Sequence, residues 1–312
     1  MESNSTLSTL VYIARQYYDE NMSQQEIADQ LGVSRSLIAL YLKRAREQSI
    51  VRIEIVNPQD QCEDLALEIQ DRITLKSVHV IPKPSNPEIA QRSLAGTVAR
   101  YLENILVDGD LVGLGWGRTI SEVVKLLAPS KPRRIEVVPL LGESSFTGSY
   151  TQLNQLVLNF SQCFNGTPYF LFAPLIVGSY ELREAFLQDE IARPVAERWN
   201  HLDVACVGIG ALPPAPGQII YMGEEKVKGY IEKGAQGDIV ARYFDYAGQQ
   251  VITDIDERII GIDLEQLRKA KKVIAVAEGL FKTKSVVSAL RTSLITDLFV
   301  DEELASAILT EL

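Results

Sequence analysis

Helical periodicity opens the chain. From Leu7 to Tyr17 the apolar residues Leu7, Leu10, Val11 and Ala14 recur at the spacing that lines one face of a helix. A second helix is predicted from "MSQQEIADQL". There Ser23 and Glu26 form a capping box, each side chain accepting from the other's backbone N–H, and Ile27, Ala28 and Leu31 supply the inner face. Gly32 provides a left-handed turn, Val33 plugs the corner, and Ser34 caps a third helix with Ile38, Leu42 and Ala45 inward. Helix, glycine turn and helix at this spacing predict a helix-turn-helix. "IVRIEIV" (Ile50 to Val56) then alternates as a short strand or wing.

After Pro58 the pattern changes. "CEDLALEIQDRITL" reads as an amphipathic linker helix with Leu65, Ile69 and Ile73 on one stripe, suited equally to dimerisation and to packing on its own domain. Beyond it the apolar runs "SVHVIP", "DLVGLGW", "RIEVVPLLG", "PYFLFAP", "DVACVGIGAL", "KVIAVAEG" and "ITDLFVD" alternate with helical stretches such as "IAQRSLAGTVARYLENIL" and "LNQLVLNFSQCF". Continuous apolar strands between helices predict an α/β, doubly wound, mostly parallel sheet. The expected domains are therefore 1–56, a helix-turn-helix domain, and 57–312, the linker helix with the α/β body.

Ligands of such sheets bind beyond the carboxyl ends of the strands, which singles out the residues just after each run. In "DLVGLGWGRTISEVV", Gly113, Gly115 and Gly117 let backbone approach a ligand, and Arg118 and Thr119 open the next helix. A helix N-terminus with a hydroxyl and a guanidinium is an anion site. Glu143, Ser144 and Ser145 follow a second strand, Asp238 follows Gly237, and Lys282 stands three residues after Gly279. Each has a plainer reading: close packing for the glycines, capping for Asp238, solvation for Lys282 and for "KPRR" (Lys131 to Arg134), and filler for Trp116. A dinucleotide fingerprint G-x-G-x-x-G is broken at Arg118 when started from Gly113 and at Ile120 when started from Gly115. Glu136 alone keeps the spacing of a ribose-binding acid.

Composition narrows the class. At 312 residues, 46% hydrophobic and 23% charged, the chain is an ordinary globular protein without low-complexity tracts. No run approaches the ~18 apolar residues of a spanning helix, and the start is neither basic nor apolar, so neither a membrane nor a signal peptide is expected. Cys62, Cys163 and Cys206 are dispersed, and His79 and His201 are the only histidines. That disfavours a Cys/His metal site and suits a reducing, cytoplasmic setting; no cofactor is expected. The net charge of −10 is uneven: residues 1–56 carry six Lys/Arg against seven Asp/Glu, so nearly all the excess acid lies in the body. Within "SRSLIALYLKRAR" there are Arg35, Lys43, Arg44 and Arg46 and no acid. A basic helix on an acidic body suits a DNA reader. Its N-terminal half enters the major groove, which makes Ser34, Arg35, Ser36 and Leu40 candidates for bases or nearby phosphates. Lys43, Arg44 and Arg46 are candidates for the flanking backbone.

These stretches resemble, in order and over essentially the whole chain, the SorC/DeoR-type sugar-responsive bacterial transcription regulators. "SQQEIADQLGVSRSLIALYLKRAREQSIVRIEI" is similar to their helix-turn-helix and "VGLGWGRTI" to their V-G-x-G-W-G-R-T signature. "GAQGDIVARYFDYAG" resembles their G-x-x-G-D-I stretch, "AVAEGLFKTKSVVSAL" their A-x-G-G-x-x-K stretch, and "LITDLFVDEELASAIL" their C-terminal ending. The resemblance implies a sugar-phosphate-binding domain related in fold to sugar-phosphate isomerases and deaminases. It also implies operator DNA and a sugar or sugar-phosphate effector as partners, and a homo-oligomer built as a dimer of dimers. Carried over, Gly115, Gly117, Arg118 and Thr119 cradle the phosphate, Asp238 accepts from sugar hydroxyls, and Lys282 supplies a cation. Asn154 matches a polar position in the helix after "LLGESS", and Glu143, from its place after a strand, is a further candidate for effector binding.

Two departures stand out. Ala39-Leu40 replaces a frequent Ser-Arg pair, exchanging a guanine reader for a group that can touch a thymine methyl. Glu278 stands where glycine is common, and with Glu143 it is expected to repel a second phosphate, favouring a monophosphate or a plain sugar over a bisphosphate. Two other classes compete: an active isomerase or deaminase fused to a DNA-binding module, with Asp238, Glu143 or Glu278 as base, and a redox repressor reading a nicotinamide dinucleotide. A Schiff base at Lys282 is disfavoured because nothing local marks that lysine as desolvated.

Overall fold

The computed structural model describes residues 4–53, 61–128, 132–144, 152–212, 219 and 222–312. The chain divides into two compact units, Met1–Pro58 and Gln59–Leu312.

The first unit holds α1 (Asn4–Tyr18), α2 (Gln24–Leu31) and α3 (Arg35–Glu47). The capping box is formed: the Ser23 hydroxyl accepts from the Glu26 N–H at 3.3 Å, and the Glu26 carboxylate accepts from the Ser23 N–H at 2.8 Å. Gly32 ends α2 at φ 65°, in the left-handed region. Ile13 of α1 packs with Ile27, Ala28, Ile38 and Leu42, while Leu10 and Ala14 form a second cluster with Ala45. Leu7, Leu31 and Val33 are exposed instead of inward. The α1 stripe runs through Ile13 rather than Leu7, Leu31 closes α2 past its packed turn, and Val33 rides on the outside of the corner. The described part of the expected wing, Ile50 to Ile53, contains no strand; Glu54 to Val56 lie outside the described residues.

In the second unit α4 (Gln61–Arg72) leads into β1 (Ser77–Ile81), and α5 (Pro87–Ile105) into β2 (Leu111–Leu114). Then follow α6 (Arg118–Leu126), β3 (Glu136–Pro139), α7 (Leu153–Phe164) and β4 (Thr167–Pro168). After α8 (Tyr180–Gln188) and α9 (Arg193–Arg198) come β5 (Val204–Gly208) and β6 (Gly210–Ala211). The remainder is α10 (Glu224–Glu232), β7 (Ala235–Ile239), β8 (Arg242–Asp245), α11 (Leu264–Arg268), β9 (Lys272–Ala277), α12 (Thr283–Arg291), β10 (Asp297–Asp301) and α13 (Glu302–Glu311).

Among the described residues, seven strands form one parallel sheet in the order β1-β10-β9-β5-β2-β3-β4. Right-handed crossovers put α6 and α7, which lead one way across the sheet, on the face opposite α12, which leads the other way. Contacts agree: α5, α6 and α7 pack in series, as do α4, α13 and α12. Both faces are thus covered, and the inner strands are apolar between their ends because no face meets water, with Glu136, Lys272, Asp297 and Asp301 standing only at strand ends. "PYFLFAP" yields only the two-residue edge strand β4, since Pro168 cannot donate to a ladder. The stripe of α4 packs on its own unit, with Ile69 fully buried, Leu65 and Ile73 half-buried, and the helix against β1 and α13.

Candidate functional site

β2 neighbours β3 on one side and β5 on the other, so the strand order reverses at β2 and leaves a crevice beyond the carboxyl ends of β2 and β5. A cavity of about 140 Å3 occupies it. Its walls are Gly115 to Ile120 after β2, Gly208 to Ala211 at the end of β5, and Val276, Glu278, Phe281 and Lys282 around the end of β9, with Asp238 and Val240 above. Against the roughly 300–1,000 Å3 of sites for drug-sized ligands, this is room for one small molecule.

The three glycines divide. A Cβ on Gly113, inside β2, would stand 2.5 Å from Leu140 Cδ2, so that glycine serves packing. Gly115 continues the sheet by donating to Cys206 O at 2.9 Å and lines the cavity. Gly117 has φ +127° with open space where a Cβ would project. Only glycine adopts that backbone without strain. It swings the chain into α6, whose first turn has no side-chain cap. The positive end of a nine-residue helix therefore faces the cavity with Thr119 buried beside it and Arg118 exposed at its rim.

Asp238 is not at a carboxyl end of the parallel sheet, as its place after Gly237 suggested. It lies within β7 of a separate antiparallel sheet, β6-β7-β8, opposite Gly210. Because β6 follows β5 almost directly, this pairing carries Asp238 over the crevice. The β7–β8 turn consists of Val240 and Ala241 at φ 50° and 57°. Two-residue hairpin turns favour positive φ at both positions, but a β-branched residue is strained there. Asp238 Oδ2 accepts from the Ala241 N–H at 3.0 Å and braces the turn.

Lys282 ends a 3-10 turn, Leu280–Lys282, and its ammonium donates to Ile209 O at 2.7 Å. Burial of that ammonium holds its pKa below the usual lysine value; Glu278 and Asp238 oppose the shift and Arg118 adds to it. The lysine is thus desolvated by tertiary packing, contrary to the local reading. Glu278 is the first residue past β9. Burial raises its carboxyl pKa, an effect that Lys282, Arg118 and Lys83 oppose and Asp301 reinforces. Asp301 holds this loop in place by accepting from the Gly279 N–H at 2.6 Å while capping α13 through Leu304 N–H at 3.0 Å.

Glu143 and Asn154 stand apart from the other candidate effector contacts. Neither lines this cavity: the Glu143 carboxylate accepts from the N–H groups of Leu153 (3.1 Å) and Asn154 (2.8 Å) and so caps α7. The Asn154 amide exchanges two hydrogen bonds with Leu171, at 3.1 and 3.0 Å. Both polar groups are used in holding α7 to the chain beside it. Ser145 and Lys131 lie outside the described residues. The structure adds Trp116, Ile209, Val240 and Phe281 to the lining and Asp301 behind it. Trp116, between Gly115 and Gly117, Phe281, between Gly279 and Lys282, and Asp301, a helix cap before "EELA", carried a local signal.

On α3, Ser34 is the cap, its hydroxyl accepting from the Leu37 N–H at 3.3 Å and lying 3.0 Å from the Ser36 hydroxyl. Arg35, Ser36, Leu40, Lys43, Arg44 and Arg46 are exposed, opposite buried Ile38, Leu42 and Ala45. Lys43 pairs with Glu47 at 3.7 Å.

A family model described as "Putative sugar-binding domain" matches residues 57–310. The chain is 30% identical to the sorbitol operon regulator of Klebsiella pneumoniae over 99% of this chain and 100% of that one. It is 29% identical to the deoxyribonucleoside regulator of Bacillus subtilis over 96% of each. The crystal structure of full-length SorC from Klebsiella pneumoniae superposes with a TM-score of 0.82 at 27% identity, covering 99% of this chain and 100% of SorC. The mostly parallel α/β body, the helical N-terminal unit and these likenesses agree, and the chain belongs to the SorC/DeoR-type family of transcriptional regulators that carry a sugar-binding domain.

Proposed function

We propose that this regulator binds operator DNA through α3 and that a phosphorylated sugar seated at the N-terminus of α6 controls that binding. One observation carries the reading: an uncapped helix N-terminus, a buried hydroxyl and two cations meet two carboxylates in one cavity at the sheet's switch point. Phosphate suits the first group of features, and sugar hydroxyls suit the carboxylates. Gly115, Gly117, Arg118 and Thr119 hold the phosphate, Lys282 supports it, and Asp238 accepts from hydroxyls. On the DNA side Arg35, Ser36 and Leu40 face bases, Lys43, Arg44 and Arg46 face phosphates, and Ser34 orders the first turn. The body shares its plan with sugar-phosphate isomerases and deaminases but binds its ligand without turning it over, and the protein works as a dimer of dimers.

The test is thermal unfolding against a panel of sugar phosphates, repeated with Thr119→Ala and Lys282→Ala. A ligand at 100 times its dissociation constant stabilises the folded state by about 2.7 kcal/mol. The expected result is a raised midpoint with one panel member, lost in both variants, and unchanged sugar phosphate recovered after incubation. Shifts that both variants retain would refute the assigned pocket. Conversion of the sugar phosphate would make the chain an enzyme.

A further inference from the structure

We propose that Glu278 sets the charge selectivity of the effector site, admitting a sugar with one phosphate and excluding the same sugar with a second. This rests on the function proposed above and names its ligand class more closely. Among the described residues that line the cavity, Arg118 and Lys282 bring two positive charges, and Asp238 and Glu278 bring two negative ones. A site for a doubly phosphorylated ligand would show an excess of cations; here the helix N-terminus supplies the excess, and at one end only.

The strand order fixes the distance between the two ends. α6 starts after β2, Glu278 follows β9, and β5 runs between them. Neighbouring strands lie about 4.8 Å apart, so the two ends face each other across about 10 Å, a span comparable to a small phosphorylated sugar. A phosphate on the α6 amides therefore directs the far end of the sugar at Glu278. A hydroxyl there donates to the carboxylate; a second phosphate meets a like charge in a half-buried setting. Lys282 offsets this only in part, because its ammonium is bonded to Ile209 O beyond β5 and is shared between Asp238 and Glu278. The loop cannot easily swing the carboxylate away, since Asp301 grips Gly279 at 2.6 Å.

The experiment is calorimetric titration of the full-length protein with inorganic phosphate and with pairs of sugar monophosphates and bisphosphates differing by one phosphate. It is run on the wild type, Glu278→Gln and Thr119→Ala. The expected wild type prefers the monophosphate at least tenfold. Glu278→Gln, which keeps shape and loses charge, should shrink that preference at least tenfold, since its amide oxygen still accepts from the monophosphate's hydroxyl, more weakly than the carboxylate, and no longer repels a second phosphate. Thr119→Ala should weaken both partners of a pair together. A bisphosphate that binds the wild type as tightly as its monophosphate, or an unchanged preference in Glu278→Gln, overturns the proposal. If neither phosphate nor any sugar phosphate binds the wild type, the function proposed above fails and this inference falls with it. An unfolding midpoint confirms that each variant is folded, and Glu278→Ser repeats the charge removal should Glu278→Gln not fold.

Discussion

At the scale of single residues, chemically similar positions have different jobs, and only their surroundings tell them apart. Gly113 and Gly117 are four residues apart in one motif. An added Cβ at Gly113 collides with Leu140, whereas at Gly117 it enters open space but demands φ +127°. Gly113→Ala is expected to lower stability by about 1–3 kcal/mol through overpacking, with effector affinity per folded molecule retained. Gly117→Ala should cost a similar roughly 1–3 kcal/mol in backbone strain and also lose the effector, because relief of the strain moves the first turn of α6. Chemical denaturation paired with titration of the same samples separates the two.

The titrating groups make a second contrast at this scale. The pKa of Lys282 is depressed, so between that lowered value and the ordinary 10.5 the unfolded chain binds the extra proton. Its contribution to stability is therefore present above that window and lost as pH falls through it. Effector binding that relies on the ammonium runs the opposite way, weakening as pH rises through the lowered pKa. The pKa of Glu278 is raised, so its contribution is present below 4.5 and lost as pH rises through the raised value. Unfolding and binding profiles of the wild type against Lys282→Met should show the alkaline divergence in the wild type alone. Parallel profiles would remove Lys282 from the binding site.

At the scale of elements, caps decide which polar residues are available to a ligand. Glu143 looked like a binding residue because it follows a strand, yet it satisfies two N–H groups of α7. Glu143→Gln should weaken that charged cap and lower stability by about 0.5–2 kcal/mol, leaving effector affinity unchanged. Loss of effector binding in a fully folded variant would return Glu143 to the site. The same logic explains α6: Gly117 brings no capping side chain, and its helix N-terminus opens into the cavity. Ser34, by contrast, is spent on α3, which leaves its exposed neighbours as the proposed base contacts.

At the scale of the whole molecule, the regulator reading demands that effector and operator influence each other through a shared equilibrium, and by equal factors. An effector that bound both arrangements of the protein equally would shift nothing. What was legible in the chain reflects how locally each feature is encoded. The capping box at Ser23 and Glu26, the Gly32 turn and the basic helix depend on residues within a few positions, so periodicity and caps revealed them. The alternation of apolar runs and helices likewise determined a parallel α/β body, because strands covered on both faces have to be apolar throughout. The helix-opening set Gly117, Arg118 and Thr119 was readable for the same reason. Tertiary structure alone decided the rest. Asp238 reaches the cavity through antiparallel pairing with Gly210, 28 positions earlier in the chain, and no local pattern encodes that partner. Lys282 is desolvated by Ile209 and its neighbours beyond another strand, and Glu143 is claimed by a helix ten residues on. Burial, charge balance and the use of a hydrogen-bonding group depend on what folding brings close, and these long-range pairings made one cavity of four distant stretches.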